Sequence, residues 1–205
     1  MSEFDAKAGD WDKNPVHWDR SVAIADEILK IIPIKPYFRA MEFGAGTGIL
    51  SFLLRDTLNE ILLIDNSAEM IKMIDEKIAS SGAKNLKTRF FDLEQSELNG
   101  YKFDLIFTQM VLHHVSEVTT VIAKFSRLLN PGGYLAIADL YPEDGSFHGQ
   151  DIKVHRGFDL NFLTEVLQRN SFVNISHQQC FIISRQISET EKKDFPVFLL
   201  TAERV

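Results

Sequence analysis

A single cysteine, Cys180, stands among the 205 residues, so no internal disulfide can form and no cysteine-rich zinc site can be built. Long apolar runs are missing as well: no stretch approaches the roughly 20 residues needed to span a bilayer. The first ten residues, Met1 to Asp10, are acidic and lack an apolar stretch, so no signal peptide is expected. Basic charge is in deficit, with 22 Lys and Arg against 29 Asp and Glu and a net charge of −7. Non-specific binding to nucleic acid or to an anionic membrane needs clustered Lys and Arg, and this balance opposes both. There is no internal repeat, low-complexity tract or obvious linker. These absences leave a soluble, cytoplasmic protein as the expectation, with neither nucleic acid nor membrane as partner.

What is present is ordinary globular composition: 45% hydrophobic, 11% aromatic and 25% charged residues. A chain of this length corresponds to one domain and buries on the order of 70% of its unfolded surface. After residue 36, apolar strand-like runs over 37–43, 60–64, 86–91, 103–108 and 134–138 alternate with helix-like stretches. Ser67 can cap a helix carrying Met70, Ile71, Ile74 and Ile78 at helical spacing, and Ser116 another carrying Val118, Ile122, Phe125 and Leu129. Asn130-Pro131-Gly132-Gly133 then turns the chain. Such alternation predicts crossover units and a mostly parallel sheet with helices on both faces.

Both ends depart from that pattern. Asn14-Pro15 reads as a cap followed by proline at the first helical position, opening a helix with Val22, Ala25, Ile28, Leu29 and Ile32 inward; Pro33 and Pro36 end it. Asp159 caps a helix running to about residue 170. Two late strands follow over 172–177 and 195–201, with ambiguous sequence over 181–187, and no helix separates them. The fold class is therefore α/β: a doubly wound, seven-stranded, mostly parallel sheet with an antiparallel edge hairpin and an N-terminal helical cap. It is divided here as cap (1–36), cofactor-binding core (37–140) and substrate-side loop, helix and terminal strands (141–205).

The most informative stretch is Met41-Glu42-Phe43-Gly44-Ala45-Gly46-Thr47-Gly48, where the first strand gives way to a helix. Glycines there let the chain turn sharply and let a ligand approach the backbone. A dinucleotide fingerprint wants G-x-G-x-x-G/A, but its closing position here is Ile49, and Glu42 beside the loop suits a ligand bearing cationic groups better than a pyrophosphate. Asp65 ends the next strand, where a carboxylate can accept from both ribose hydroxyls of a nucleoside; it serves NAD equally well. The pattern E-x-G-x-G-x-G resembles the first motif of class I S-adenosylmethionine-dependent methyltransferases. The resemblance continues through Phe91-Asp92-Leu93, through Phe103 to Thr108 followed by Gln109-Met110-Val111-Leu112-His113-His114, and through Leu129 to Leu135, covering roughly residues 37–140.

That resemblance implies S-adenosyl-L-methionine as cofactor and in-line methyl transfer, which needs alignment, water exclusion and sometimes a base, but no metal. Carried over position by position, Gly44, Ala45, Gly46 and Gly48 would border the amino-acid portion of the cofactor. Glu42 would support the loop or meet the ammonium, and Asp65 would take the ribose. Asn66, Met70, Asp92 and Leu93 would surround the adenine, and Gln109, Met110 and His113 would line the methionine end. The base is not fixed by motif. His113, His114, His148, His155, Asp139, Glu143 and Asp144 all qualify by type, with His114 and His148 the leading candidates. The 139–159 connection, with Tyr141, Phe147, His148, His155, Arg156 and Phe158, is either a substrate-contacting loop or a solvated link.

Trp11 and Trp18 either shield the active site as part of a lid or pack the first helix onto the sheet. The Asn-Pro-Pro-Tyr of nucleobase amino-methyltransferases is absent, which leaves a small organic molecule as substrate and a likeness to the ubiquinone-biosynthesis-like branch. A non-catalytic binder and, less favoured, an NAD-dependent oxidoreductase are the rival readings. The sequence carries no signal for an oligomeric state.

Overall fold

Strands β1 (Arg39–Phe43), β2 (Glu60–Asp65), β3 (Leu86–Phe90), β4 (Phe103–Gln109) and β5 (Leu129–Leu140) run parallel, joined by helical crossovers. They are followed by β6 (Phe172–Gln186) and β7 (Lys192–Arg204). All seven share one sheet in the order β3-β2-β1-β4-β5-β7-β6, with β7 antiparallel to both of its neighbours. The computed structural model describes residues 8–149 and 154–205; positions 1–7 of the acidic Met1 to Asp10 stretch and positions 150–153 of the 139–159 connection lie outside the described residues.

The sheet is covered on both faces, so its central strands are apolar on both sides. Ile61, Leu62, Leu63 and Ile64 of β2 are all buried. Their alternation divides the core in two. Met41, Phe43, Leu62 and Ile106 face α5 (Val118–Leu128) and α6 (Leu160–Arg169). Ala40, Ile61, Leu63 and Phe107 face α2 (Pro15–Ile31) and α3 (Ile49–Leu54), with Ile74 of α4 (Ala68–Ser81) on the same side. A short α1 (Ala8–Trp11) precedes α2.

Three of the expected caps form. Asn14 accepts from the Val16 N–H, Ser67 from Met70 and Asp159 from Asn161. Ser116 does not cap α5. That helix starts after Glu117, and the Ser116 N–H is taken by Glu94 Oε2 at 2.7 Å, which ties the helix start to the loop after β3. The inward row of α2 is Ile24, Ile28 and Ile32 at four-residue spacing with Ala25 beside it; Leu29, about 100° round the helix from Ile28, is exposed.

Asn130 to Gly133 is not a separate turn but the bulged start of β5, where pairing to β4 shifts register and Gly132 takes φ 76°. The ambiguous 181–187 sequence belongs to β6, one 15-residue strand whose two register shifts against β7 keep it in a single hairpin. Among the described residues no helix is long and apolar enough to cross a membrane.

Candidate active site

β1 and β4 are neighbours whose crossovers leave in opposite directions, so a crevice opens at their carboxyl ends. A cavity of about 470 Å³ occupies it. The loop after β1 forms one wall, with Gly44, Gly46 and Gly48 all at positive φ. Their needs differ. A Cβ on Gly44 would lie 2.5 Å from both methyls of Val111, so the loop is held against the chain that follows β4. A Cβ on Gly46 would meet nothing within 4 Å, because this residue faces the open cavity. Gly48 is buried against Leu63 and Ile74 as it opens α3; it does not line the cavity.

Asp65 accepts the Gly46 N–H at Oδ2 and the Ser67 N–H at Oδ1, both at 2.8 Å, which locks the carboxylate at the cavity edge. Asn66, Met70, Asp92 and Leu93 extend the same wall. Asp92 Oδ1 accepts the Glu94 and Gln95 N–H groups. A residue not anticipated from sequence fixes that loop: the buried Lys124 of α5 donates to the carbonyls of Leu93, Glu94 and Ser96 at 2.6–3.1 Å. A lysine among Val121, Ile122 and Phe125 on an apolar helix face was the available signal.

Glu42 is fully buried and does not reach the cavity. Ser51 Oγ donates to its Oε2, while Oε1 has no partner. Burial pushes its pKa from 4.5 to about 8, against the smaller downward pull of the Ser51 hydrogen bonds, so the carboxyl beneath the glycine loop is mostly neutral at pH 7.

The far wall is built at the ends of β4 and β5. Gln109 lines it and accepts from Ser21 Oγ of α2 at 3.0 Å. Met110 takes φ 55°, a left-handed conformation that non-glycine residues seldom adopt, and its N–H bonds Ala138 O across the sheet. Beyond it, Asp139, fully buried, accepts from His113 Nδ1 at 2.6 Å and from the His113 N–H at 3.2 Å. His113 Nε2 stands 3.0 Å from His148 Nε2. With Asp139 ionised, Nδ1 of His113 donates; in the neutral ring Nε2 then accepts from His148.

His114 completes the group. The three imidazoles offer nitrogens within 4.8 Å of one another, a spacing a metal ion could bridge, although the His113–His148 contact is already met by a hydrogen bond. All three line the cavity.

The other base candidates lie elsewhere. His155 is spent on Val115 O, Glu143 on the Gly145 and Phe147 N–H groups, and Asp144 on Lys193, whose ammonium holds that carboxyl below its ordinary range. The 139–159 connection thus divides: Phe147 and His148 face the cavity, while Phe158 is buried in the core. The tryptophans divide too. Trp11 lines the cavity with its ring 4.3 Å from that of His17, whereas Trp18 is 52% exposed and neither shields nor packs. Arg20 of α2, absent from the sequence expectations, is buried at the cavity wall.

A doubly wound sheet with a glycine loop, an acid after β2 and a cavity at the switch point defines a nucleoside-cofactor-binding α/β protein. Residues 34–156, more than half of the chain, match the family model of a methyltransferase domain. The chain belongs to that family and is a class I S-adenosylmethionine-dependent methyltransferase.

An uncharacterized methyltransferase of Schizosaccharomyces pombe is 30% identical over 53% of this chain and 41% of its own length. One from Geobacillus kaustophilus is 30% identical over 73% of this chain and 69% of its own. The chain thus spans from two-fifths to about two-thirds of the length of such relatives. Among solved structures, YcgJ from Bacillus subtilis superposes with a TM-score of 0.74 at 16% identity, covering 88% of this chain and 97% of that one. A Haemonchus contortus phosphoethanolamine N-methyltransferase in complex with S-adenosyl-L-methionine gives 0.71 at 14% identity over 91% and 52%. At these identities the structures speak for the fold.

Proposed function

We propose that this protein transfers a methyl group from S-adenosyl-L-methionine to a small organic molecule in the cavity between the glycine loop and the histidine cluster. The observation that carries the reading is the open space beside Gly46, into which even a Cβ would intrude, directly adjoining the locked carboxylate of Asp65. When bound, the cofactor supplies an electrophilic methyl on a sulfonium for in-line displacement. Gly44, Ala45 and Gly46 would border its amino-acid portion, Asp65 its ribose, and Asn66, Met70, Asp92 and Leu93 its adenine. Gln109, Met110 and His113 would line the methionine end. Glu42 and Gly48 act from behind the loop by shaping it.

His148 is the residue placed to take a proton from the acceptor, with His113 and Asp139 orienting it and sharing the charge that results. The relatives above do not single out the ubiquinone-biosynthesis-like branch, so the small-molecule reading rests on the cavity alone.

Thermal unfolding with S-adenosylmethionine, S-adenosylhomocysteine and NAD in parallel tests the cofactor assignment. Ligand at 100 times Kd adds about 2.7 kcal/mol, or very roughly 5–10 °C for a domain this size. The two sulfur nucleosides should raise Tm and NAD should not. A shift with NAD alone, or with none, would sink the proposal.

A further inference from the structure

Arg20 sits on the inward side of α2, beside the buried Ser21 and Ile24. It is only 6% exposed. Among the described residues its guanidinium makes no ion pair and no hydrogen bond, and its Nε is fully covered with no acceptor. The carboxylate that acts on it most is Asp139, yet Asp139 already accepts from His113 Nδ1, from the His113 N–H and from the Leu140 N–H. Burial outweighs that attraction and draws the guanidinium from 12.5 down to about 10, so it remains charged at neutral pH. A buried charge without a counter-ion is among the most costly features a fold can hold. This one lines the cavity, where a counter-ion can arrive with the ligand.

The charges around the cavity are segregated. Its carboxylates are Asp65, which ends β2, and Asp92 and Glu94, which follow β3. Its guanidiniums are Arg20 from α2 and Arg185 from β6, the latter bonded to Phe147 O with its charge 4.7 Å over the Phe147 ring. The electrostatic neighbours of Arg20 are His17 on its own helix, Asp139 on β5 and Cys180 on β6, the last two lying on the opposite side of β4 from the glycine loop and Asp65. A carboxylate or phosphate bound at Arg20, on the side away from Asp65, is assigned to the methyl acceptor; the rival occupant is the carboxylate of the cofactor, since Asp139 and Ser21 also bond His113 and Gln109.

We propose that Arg20 is the anion-binding residue of the acceptor site and that the molecule methylated carries a carboxylate or phosphate held by this guanidinium. The planar fork of arginine matches either group bidentately. This inference rests on the methyltransferase reading of the cavity and narrows its substrate class.

The test uses the full chain and its Arg20→Met and Arg20→Lys variants. Melting temperature is measured without ligand. Affinity for S-adenosylhomocysteine is measured by calorimetry. Melting shifts are then read with succinate or inorganic phosphate at constant ionic strength, in the presence and absence of S-adenosylhomocysteine, with succinamide as the uncharged control.

Arg20→Met, relieved of an unpaired buried charge, should melt no lower than the parent and bind S-adenosylhomocysteine within threefold of it. It should lose the anion-specific shift that the parent shows, and Arg20→Lys should retain part of it. Whichever of succinate and phosphate gives the larger shift identifies the anionic group.

An equal shift in parent and Arg20→Met, or no shift in the parent, overturns the proposal. So does a tenfold loss of S-adenosylhomocysteine affinity in Arg20→Met, which would give the guanidinium to the cofactor carboxylate. If Arg20→Met does not fold, absence of any anion-specific shift in Arg20→Lys overturns it equally. Failure of the parent to bind S-adenosylhomocysteine would instead remove the cofactor assignment, while the anion shifts without cofactor still decide the role of Arg20.

Discussion

Gly44 and Gly46, two residues apart, both have left-handed φ but for different reasons, and substitution by alanine distinguishes them. At Gly44 the new methyl meets Val111 at 2.5 Å in addition to the φ of 66°, so Gly44→Ala should cost about 3 kcal/mol in denaturant unfolding. At Gly46 only the φ of 55° is strained, so Gly46→Ala should cost about 1–2 kcal/mol yet weaken S-adenosylhomocysteine binding more than tenfold in a calorimetric titration. Comparable losses of affinity relative to stability in both variants would mean that Gly46 does not face the cofactor.

His148 gives the opposite signature. His148→Ala should leave S-adenosylhomocysteine affinity within threefold and, once an acceptor is in hand, reduce kcat by about 10²–10⁴, the usual contribution of a positioned base. An unchanged kcat would transfer the role to His114 or remove it.

At the scale of elements, the N-terminal cap expected from sequence is fastened to the site by contacts that the sequence did not single out. Asp12, just past α1, accepts from Thr47 Oγ1 in the glycine loop and pairs with Lys77 of α4, and Ser21 of α2 reaches Gln109 at the end of β4. These contacts fasten the segment carrying Trp11 and Arg20 across the cavity mouth. If the segment is a lid, limited proteolysis should cut within residues 8–20 of the free protein, and S-adenosylhomocysteine should protect it. Asp12→Ala, which removes both anchors, should raise the cleavage rate several-fold without ligand. Cleavage that ignores the ligand would make α1 and the start of α2 a fixed wall.

At the scale of the whole molecule, Glu42 sets a pH dependence. Its folded pKa of about 8 lies above the ordinary 4.5, so between these values the native state binds a proton that the unfolded state has released. Stability therefore falls as pH rises past 4.5 and levels off above about 8. Glu42→Gln abolishes the linkage and should flatten that part of the profile, with a gain on the order of a few kcal/mol at pH 8. A parent profile equally flat over this range would show that the carboxyl titrates normally.

The mostly parallel sheet with its antiparallel edge hairpin, the glycine loop, Asp65, Asp92 and the histidines after β4 were legible because each is a local pattern: a turn, a strand end, an alternation of apolar runs. Hydrophobic periodicity set the elements, with errors where the chain had a second choice, as when Leu29 rather than Ile24 was placed inward on α2. What no local pattern carries is which distant groups meet. Asp139 and His148 stand 26 and 35 residues from His113, and only the crossover of β5 beside β4 brings them to one ring. The same holds for Arg20, which reads as one more charge on an amphipathic helix until the packing of α2 buries it without a partner. The sequence alone determined the class of fold and the glycine-loop wall of the cavity, because glycine φ and strand termini are properties of neighbouring residues. The tertiary structure decided the acceptor end, because desolvation and hydrogen bonding between remote side chains exist only once the sheet has closed around them.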